Sequence, residues 1–248
     1  GMFENEGEEF IKIMKIAKEA GATTSCDVSL PDPASASGKA PWRTILEKVL
    51  PYIDIFLPSV EEALFMLEKE KFLAMKEEHD NAELIDFISP DDYSHLADKL
   101  LSLGTKMTSL KAGHAGWYFK TGPLEAVSSL GRAAAGDPQA WADRELWCPA
   151  FSAPTLVGAT GSGDSSIAGF LSAFLKKLPV EQCLKYAVCL GYQNVQVPDA
   201  VSGIKSWEET TAMLESDLPI LDMPVTFDTW KWIDKAELWA GPHDRLSK

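Results

Sequence analysis

The segment Gly158-Ala-Thr-Gly-Ser-Gly-Asp164-Ser165 combines residue types suited to anion chemistry: glycines that allow a tight backbone turn, hydroxyls, and one carboxylate. Set against the P-loop pattern G-x-x-x-x-G-K-[ST], it fits at every position except the lysine, which is Asp164 here. A carboxylate in that place repels a triphosphate lying directly on it, so the turn has to work differently. Backbone N–H groups of Gly161, Ser162 and Gly163, opening a helix, form a nest for an anion. Asp164 beside the nest can take the proton of a hydroxyl that attacks a phosphoryl group held there. The same residues also suit a plain helix start, in which glycines make the turn and Asp164 favours the dipole. Further acidic positions are Glu61 and Glu62, in the first turn of a helix opened by Pro58-Ser59, and Asp27, at the end of a β-prone run. A first-turn carboxylate and a loop cap account for them as readily as a site does.

The elements that must position these residues follow from hydrophobic period and punctuation. Phe10, Ile11, Ile13, Met14, Ile16 and Ala17 recur at helical spacing from Glu8 to Ala20, and Gly21 stops the pattern. A strand over Ala22 to Val28, a loop over Ser29 to Gly38, a helix over Trp42 to Tyr52 and a strand over Ile53 to Leu57 give a βαβ rhythm. Glu68 to Asp80 is charged and helical in composition, a solvated excursion before a helix over Asp91 to Leu103. Strands over Met107 to Lys111 and Trp117 to Lys120 flank the turn Gly113-His114-Ala115-Gly116. Ser128 to Glu145, rich in small and polar residues, reads as a long surface loop. Helices follow over Ser165 to Lys177, Val180 to Val197 and Trp207 to Leu214, and the stretch holding Trp230, Trp232 and Trp239 shows no clear period.

Composition excludes several classes. Lysine and arginine number 23 against 37 acids, a net charge of −14 that repels nucleic-acid phosphates. No apolar run approaches the ~20 residues that span a bilayer, and the N-terminal segment carries Glu4, Glu6, Glu8 and Glu9 where a signal peptide needs basic residues. The cysteines Cys26, Cys148, Cys183 and Cys189 show no metal-ligand spacing and read as buried, reduced thiols of a cytoplasmic protein.

Four ordered motifs together resemble the ribokinase/PfkB family of ATP-dependent carbohydrate kinases. Gly158 to Asp164 is similar to the family signature D-T-x-G-A-G-D, and Pro58-Ser59-Val60-Glu61-Glu62-Ala63 to its P-N-x-x-E-A. Leu110 to Gly116 is similar to its strand and glycine turn beside the nucleotide, and Asp27-Val28-Ser29 to its D-x-N strand end. The resemblance implies a ribokinase-like three-layer α/β sandwich with a mostly parallel sheet. It further implies one domain over 1–248, with a family-like core over 10–203 and a helix and irregular tail over 204–248.

By the same resemblance Asp164 is the catalytic base, and Gly161, Ser162 and Gly163 form the anion hole. Lys111, Gly113 and Gly116 border the nucleotide, with Asn194 and Val188 near the adenine. Glu62 organises magnesium and water, and Asp27 faces the substrate. ATP and Mg2+ are the expected cofactors, and a sugar-like hydroxyl compound the expected substrate. Three departures qualify this: Gly158 and Ser59 replace the signature's aspartate and asparagine, and the family's N-terminal lid region has no counterpart before Phe10. From that last point follow two expectations, a homodimer paired through the exposed edge of the Ala22 to Val28 strand and weak sugar phosphorylation. The alternative reading is a non-catalytic nucleotide-binding remnant or scaffold.

Overall fold

Alternating short apolar strands and amphipathic helices build an α/β protein. The computed structural model describes residues 2–223 and 227–247. Its strands hydrogen-bond in the order β1-β2-β3-β4-β5-β7-β6, in one seven-stranded sheet. The chain divides into two units: Gly1–Leu110 with Lys120–Ala134, and Lys111–Phe119 with Ala135–Lys248.

The first unit runs α1 (Glu8–Glu19), β1 (Ser25–Cys26), α2 (Trp42–Val49), β2 (Ile55–Phe56), α3 (Val60–Leu67), α4 (Lys69–Glu78), α5 (Pro90–Ser102) and most of β3 (Met107–Lys111), then the end of β4 (Trp117–Thr121) and α6 (Leu124–Ser128). β1, β2 and β3 are parallel, with Cys26 opposite Phe56 and Phe56 opposite Thr108. Two-residue ladders are shorter than the runs over Ala22 to Val28 and Ile53 to Leu57 suggest, because the flanking residues turn into loops. Thr24, ahead of β1, is spent on Asp54: its N–H and hydroxyl both donate to the carboxylate, at 3.0 and 3.3 Å.

Asp54 itself is buried among Lys18 (2.8 Å) and Lys106 (2.9 Å). Burial raises its pKa, but the two ammonium groups and the Thr24 amide outweigh that and hold it below the usual carboxylate range. The charged excursion is helical and solvated, as its composition suggests. It is held down by Phe72, packed edge-on to Phe65 at 5.3 Å, and by a Lys76–Glu61 ion pair of 2.7 Å.

The second unit holds the end of β3, the start of β4, α7 (Pro138–Trp141), β5 (Glu145–Cys148), α8 (Ser162–Leu175), α9 (Val180–Asn194), α10 (Trp207–Leu214), β6 (Lys231–Ile233) and β7 (Leu238–Ala240). Two sequence expectations are corrected here. The stretch Ser128 to Glu145 is no plain surface loop: it contains α7 and the start of β5, and Trp141, Arg144 and Glu145 are buried. Its small residues hide one large anchor, Trp141, which packs against Phe119, Phe170 and Phe174.

Nor is the C-terminal stretch irregular. β7 pairs antiparallel with β5 and β6 with β7, over an aromatic cluster of Trp147, Phe227, Trp230 and Trp239. Buried carboxylates clip this ribbon in place. Glu145 accepts the Tyr118 hydroxyl (2.9 Å) and the His243 N–H (2.8 Å), while Asp244 accepts Arg144 Nε and the Glu145 N–H, both at 2.9 Å.

Cys148, Cys183 and Cys189 are buried, and burial pushes the Cys148 and Cys189 thiols up to about 12 and about 11; Cys26 is only half-buried. Among the described residues no helix is long and apolar enough to cross a membrane.

Candidate active site

In the second unit the glycine-rich segment turns into α8 three residues earlier than the expected start at Ser165, at Ser162. Gly161 is the N-cap, left-handed at φ +79°, a conformation only glycine adopts without cost. A Cβ on it would stand 2.7 Å from Ala200 Cβ, so the 199–201 turn is laid directly over the glycine. That turn is held from below. Asn194, fully buried at the end of α9, donates its amide nitrogen to the Ala200 carbonyl at 2.8 Å, and Ser165 Oγ donates to the same oxygen at 3.4 Å.

No side chain caps α8. Of its first amides, that of Ser162 is taken by the Ala159 carbonyl (3.1 Å) and that of Ser165 by the Gly161 carbonyl (2.8 Å). The amides of Gly163 and Asp164 therefore form the open end of the helix, carrying the positive pole of its dipole. Asp164 is exposed beside them. Leu156 and Val157, ahead of the turn in sequence, and Val201, next to Ala200, leave large apolar side chains in solvent, Leu156 at 77% exposure.

β3 delivers Lys111 to this turn. Its Cδ, Cε and Nζ lie 3.7, 3.8 and 3.8 Å from the place a Cβ of Gly163 would take. The five residues after it form a closed turn, with Ala112 N–H on the Gly116 carbonyl at 2.9 Å and Ala115 N–H on the Ala112 carbonyl at 2.8 Å. Gly116 has φ +91°, and a Cβ there would sit 2.1 Å from the Cys148 carbonyl oxygen, so β5 and the turn touch backbone to backbone. Trp147 Nε1 donates to the Ala115 carbonyl at 2.8 Å and keeps the turn in place. Gly113 and His114 are exposed at its tip, whereas Val188 is buried in α9.

In the first unit Asp27 and Glu62 follow the C-terminal ends of two adjacent parallel strands, the usual position for ligand-binding residues in open α/β sheets. Glu62 belongs to a capping box at the start of α3. It receives the Ser59 N–H on Oε2 at 2.6 Å, while its own N–H donates to Ser59 Oγ at 3.2 Å. Ser59, where the resembled motif has asparagine, thus supplies the cap. Asp27 is half-buried.

Structure brings Lys111, Gly163 and Asp164 together in the second unit, and Asp27 and the Ser59–Glu62 cap onto neighbouring strand ends in the first. Sequence reasoning missed Ala200 and Ser165. The only available signal for them was that a left-handed Gly161 needs something packed over it.

The chain matches the pfkB family carbohydrate kinase description over residues 5–207. An uncharacterized sugar kinase of Archaeoglobus fulgidus is 25% identical over 138 residues, covering 56% of this chain and 38% of that protein. A nucleoside kinase of Methanocaldococcus jannaschii is 29% identical over 73 residues, 29% of this chain and 24% of that protein. Among solved structures, a putative ribokinase II of E. coli in complex with ATP and Mg2+ superposes with a TM-score of 0.57 at 18% identity, covering 82% of this chain and 52% of that one. The chain thus spans about half the length of that structure, and less of the curated relatives. With the α/β sheet, the glycine turn into α8 and a match over residues 5–207, this chain belongs to the pfkB family of carbohydrate kinases.

Proposed function

We propose that the chain carries the ATP-using phosphoryl-transfer half of a sugar or nucleoside kinase, with Asp164 as general base. The observation that carries this reading is the open N-terminus of α8, where glycine replaces a capping side chain and a carboxylate stands exposed beside free amides. Asp164 accepts the acceptor's hydroxyl proton as the hydroxyl oxygen attacks the terminal phosphorus. The bond from phosphorus to the bridging oxygen breaks, and the nucleoside diphosphate leaves with that electron pair. Charge on the equatorial oxygens meets the open amides of Gly163 and Asp164, a preorganised oxyanion site; of the expected trio Gly161, Ser162 and Gly163, the Ser162 amide is already engaged by the Ala159 carbonyl. Exposed Leu156, Val157 and Val201 suit the flat face of a nucleobase, and Lys111 with the Gly113 to Gly116 turn borders the phosphates. In this reading Asn194 and Val188 support the base-binding side from within α9, and Asp27 belongs to the acceptor.

Magnesium fits the donor set. Among the described residues no group of three or more His, Cys, Asp or Glu side chains could cage a metal. An ion that arrives with a nucleotide is carried mostly by phosphate oxygens and water and needs one or two carboxylates at most. Glu62 is the carboxylate that would order it and its water, and the ion would supply charge neutralisation on the phosphates.

Two measurements test the reading. Millimolar Mg-ATP should give heat in calorimetry and raise the melting temperature, by about 2.7 kcal/mol of stability at 100 times its Kd; silence in both sinks the nucleotide role. Asp164→Asn should lower kcat for the accepted alcohol on the order of 10²–10⁴-fold while leaving ATP affinity unchanged or improved. A variant with full turnover would take the base role from Asp164.

A further inference from the structure

α1 carries two apolar stripes, and the first unit uses one of them. Phe10 is buried, Met14 and Ala17 are half-buried, and Lys18 reaches inward to Asp54 at 2.8 Å. On the other stripe Ile13 and Ile16, one turn apart, stand in solvent at 46% and 55% exposure. Ala20 continues that stripe and is exposed as well. Beside it lie two exposed charges, Lys12 and Glu19. In a heptad frame with Ile13 at a and Ile16 at d, both charges fall at g, the position that sets partner choice and direction in paired helices.

We propose that this stripe packs against the same stripe of a second copy of the chain, with the two α1 helices antiparallel about a two-fold axis. When Ile13 of one copy lies against Ile16 of the other, the g positions face each other, so Lys12 meets Glu19 of the other copy twice. The charge pattern of one helix is thus complementary to itself. The same register sets Glu9 opposite Ala20, whose carbonyl already holds the Arg132 guanidinium at 2.6 Å. The edge of β1 is a poorer interface. Arg132 N–H donates to the Gly21 carbonyl at 3.0 Å and Ala133 N–H to Thr23 Oγ1 at 2.9 Å, so the chain ahead of β1 is already engaged. The strand itself is two residues long, too short to carry a pairing alone. With two isoleucines from each copy at its centre, the α1 contact suits a reversible dimer and not an obligate one.

Analytical ultracentrifugation of the full chain, from micromolar to near-millimolar concentration, decides it. The wild-type chain should self-associate reversibly. Lys12→Glu alone and Glu19→Lys alone each put like charges at both contacts and should weaken the dimer on the order of tenfold. An equimolar mixture of these two variants restores opposite charges and should pair better than either variant does alone, and the double variant Lys12→Glu/Glu19→Lys should pair with itself again. Ile16→Asp should remove association while keeping the helix content of the wild type, since that side chain is exposed. A wild-type chain that stays monomeric over the whole range overturns the proposal. So does a dimer that survives Ile16→Asp, or a mixture of the two charge variants that associates no better than each does separately.

Discussion

Two helices of this protein begin just after strand-derived turns, and they begin in opposite ways. At α3 the amides are satisfied from within the chain, Ser59 Oγ taking the Glu62 N–H and Glu62 Oε2 taking the Ser59 N–H. The same reciprocal box closes α5 through Ser89 and Asp92, and α10 through Ser206 and Glu209. At α8 the N-cap is a left-handed glycine that offers no side chain, and the cap position is held instead by tertiary contacts from Ala200, Asn194 and Ser165. A closed start gains its hydrogen bonds locally and can form whenever the helix forms. An open one forgoes them, depends on a distant turn for its shape, and leaves amides available to a ligand.

The sharpest way to break this contrast is Gly161→Ala. The left-handed φ and the 2.7 Å approach of Ala200 Cβ both penalise any side chain, so urea unfolding should show a loss of about 1–3 kcal/mol. An unaffected midpoint would mean that the 199–201 turn yields easily and does not hold the cap. Ser59→Ala should cost about 1 kcal/mol, the usual loss for an N-cap hydroxyl. A loss well above that would show Ser59 serving more than the cap.

Asp54 is another internally satisfied polar group of the first unit. Because its folded pKa is lowered by Lys106, Lys18 and the Thr24 amide against the burial that raises it, its contribution to stability is complete above the unfolded value of ~3.9. That contribution is lost as the pH falls through the lower folded value. Melting temperatures followed from pH 6 down to pH 3 should therefore decline partly through Asp54, with a shallower decline in Asp54→Asn. Parallel curves for the two proteins would remove Asp54 from the acid response.

Several features were legible in the residues alone because their causes are local. Gly158 to Asp164 announces a turn into a helix, Ser59 followed by Glu62 announces a capped one, and the period of Phe10 to Ala17 announces α1, since each depends on neighbours within four residues. The parallel βαβ rhythm was visible for the same reason, and so was the charged, solvated character of α4.

The elements that escaped sequence reading are those whose stability comes from far along the chain. β6 and β7 have no period because they are short, and what makes them strands is pairing with β5 and the aromatic packing on Trp147. Trp141 and Arg144 sit in a stretch of small polar residues and look exposed until Phe170 and Asp244 arrive to bury them.

The candidate site divides the same way. Sequence alone determined the catalytic carboxylate candidate, the glycines around it and the acidic caps, because residue type and spacing carry that chemistry. Only the tertiary structure decided which amides of α8 stay open, that Ala200 is the lid of Gly161, and that Lys111 lies along Gly163. Those facts depend on side chains and carbonyls meeting across loops, where sequence distance says nothing about contact and close packing decides everything.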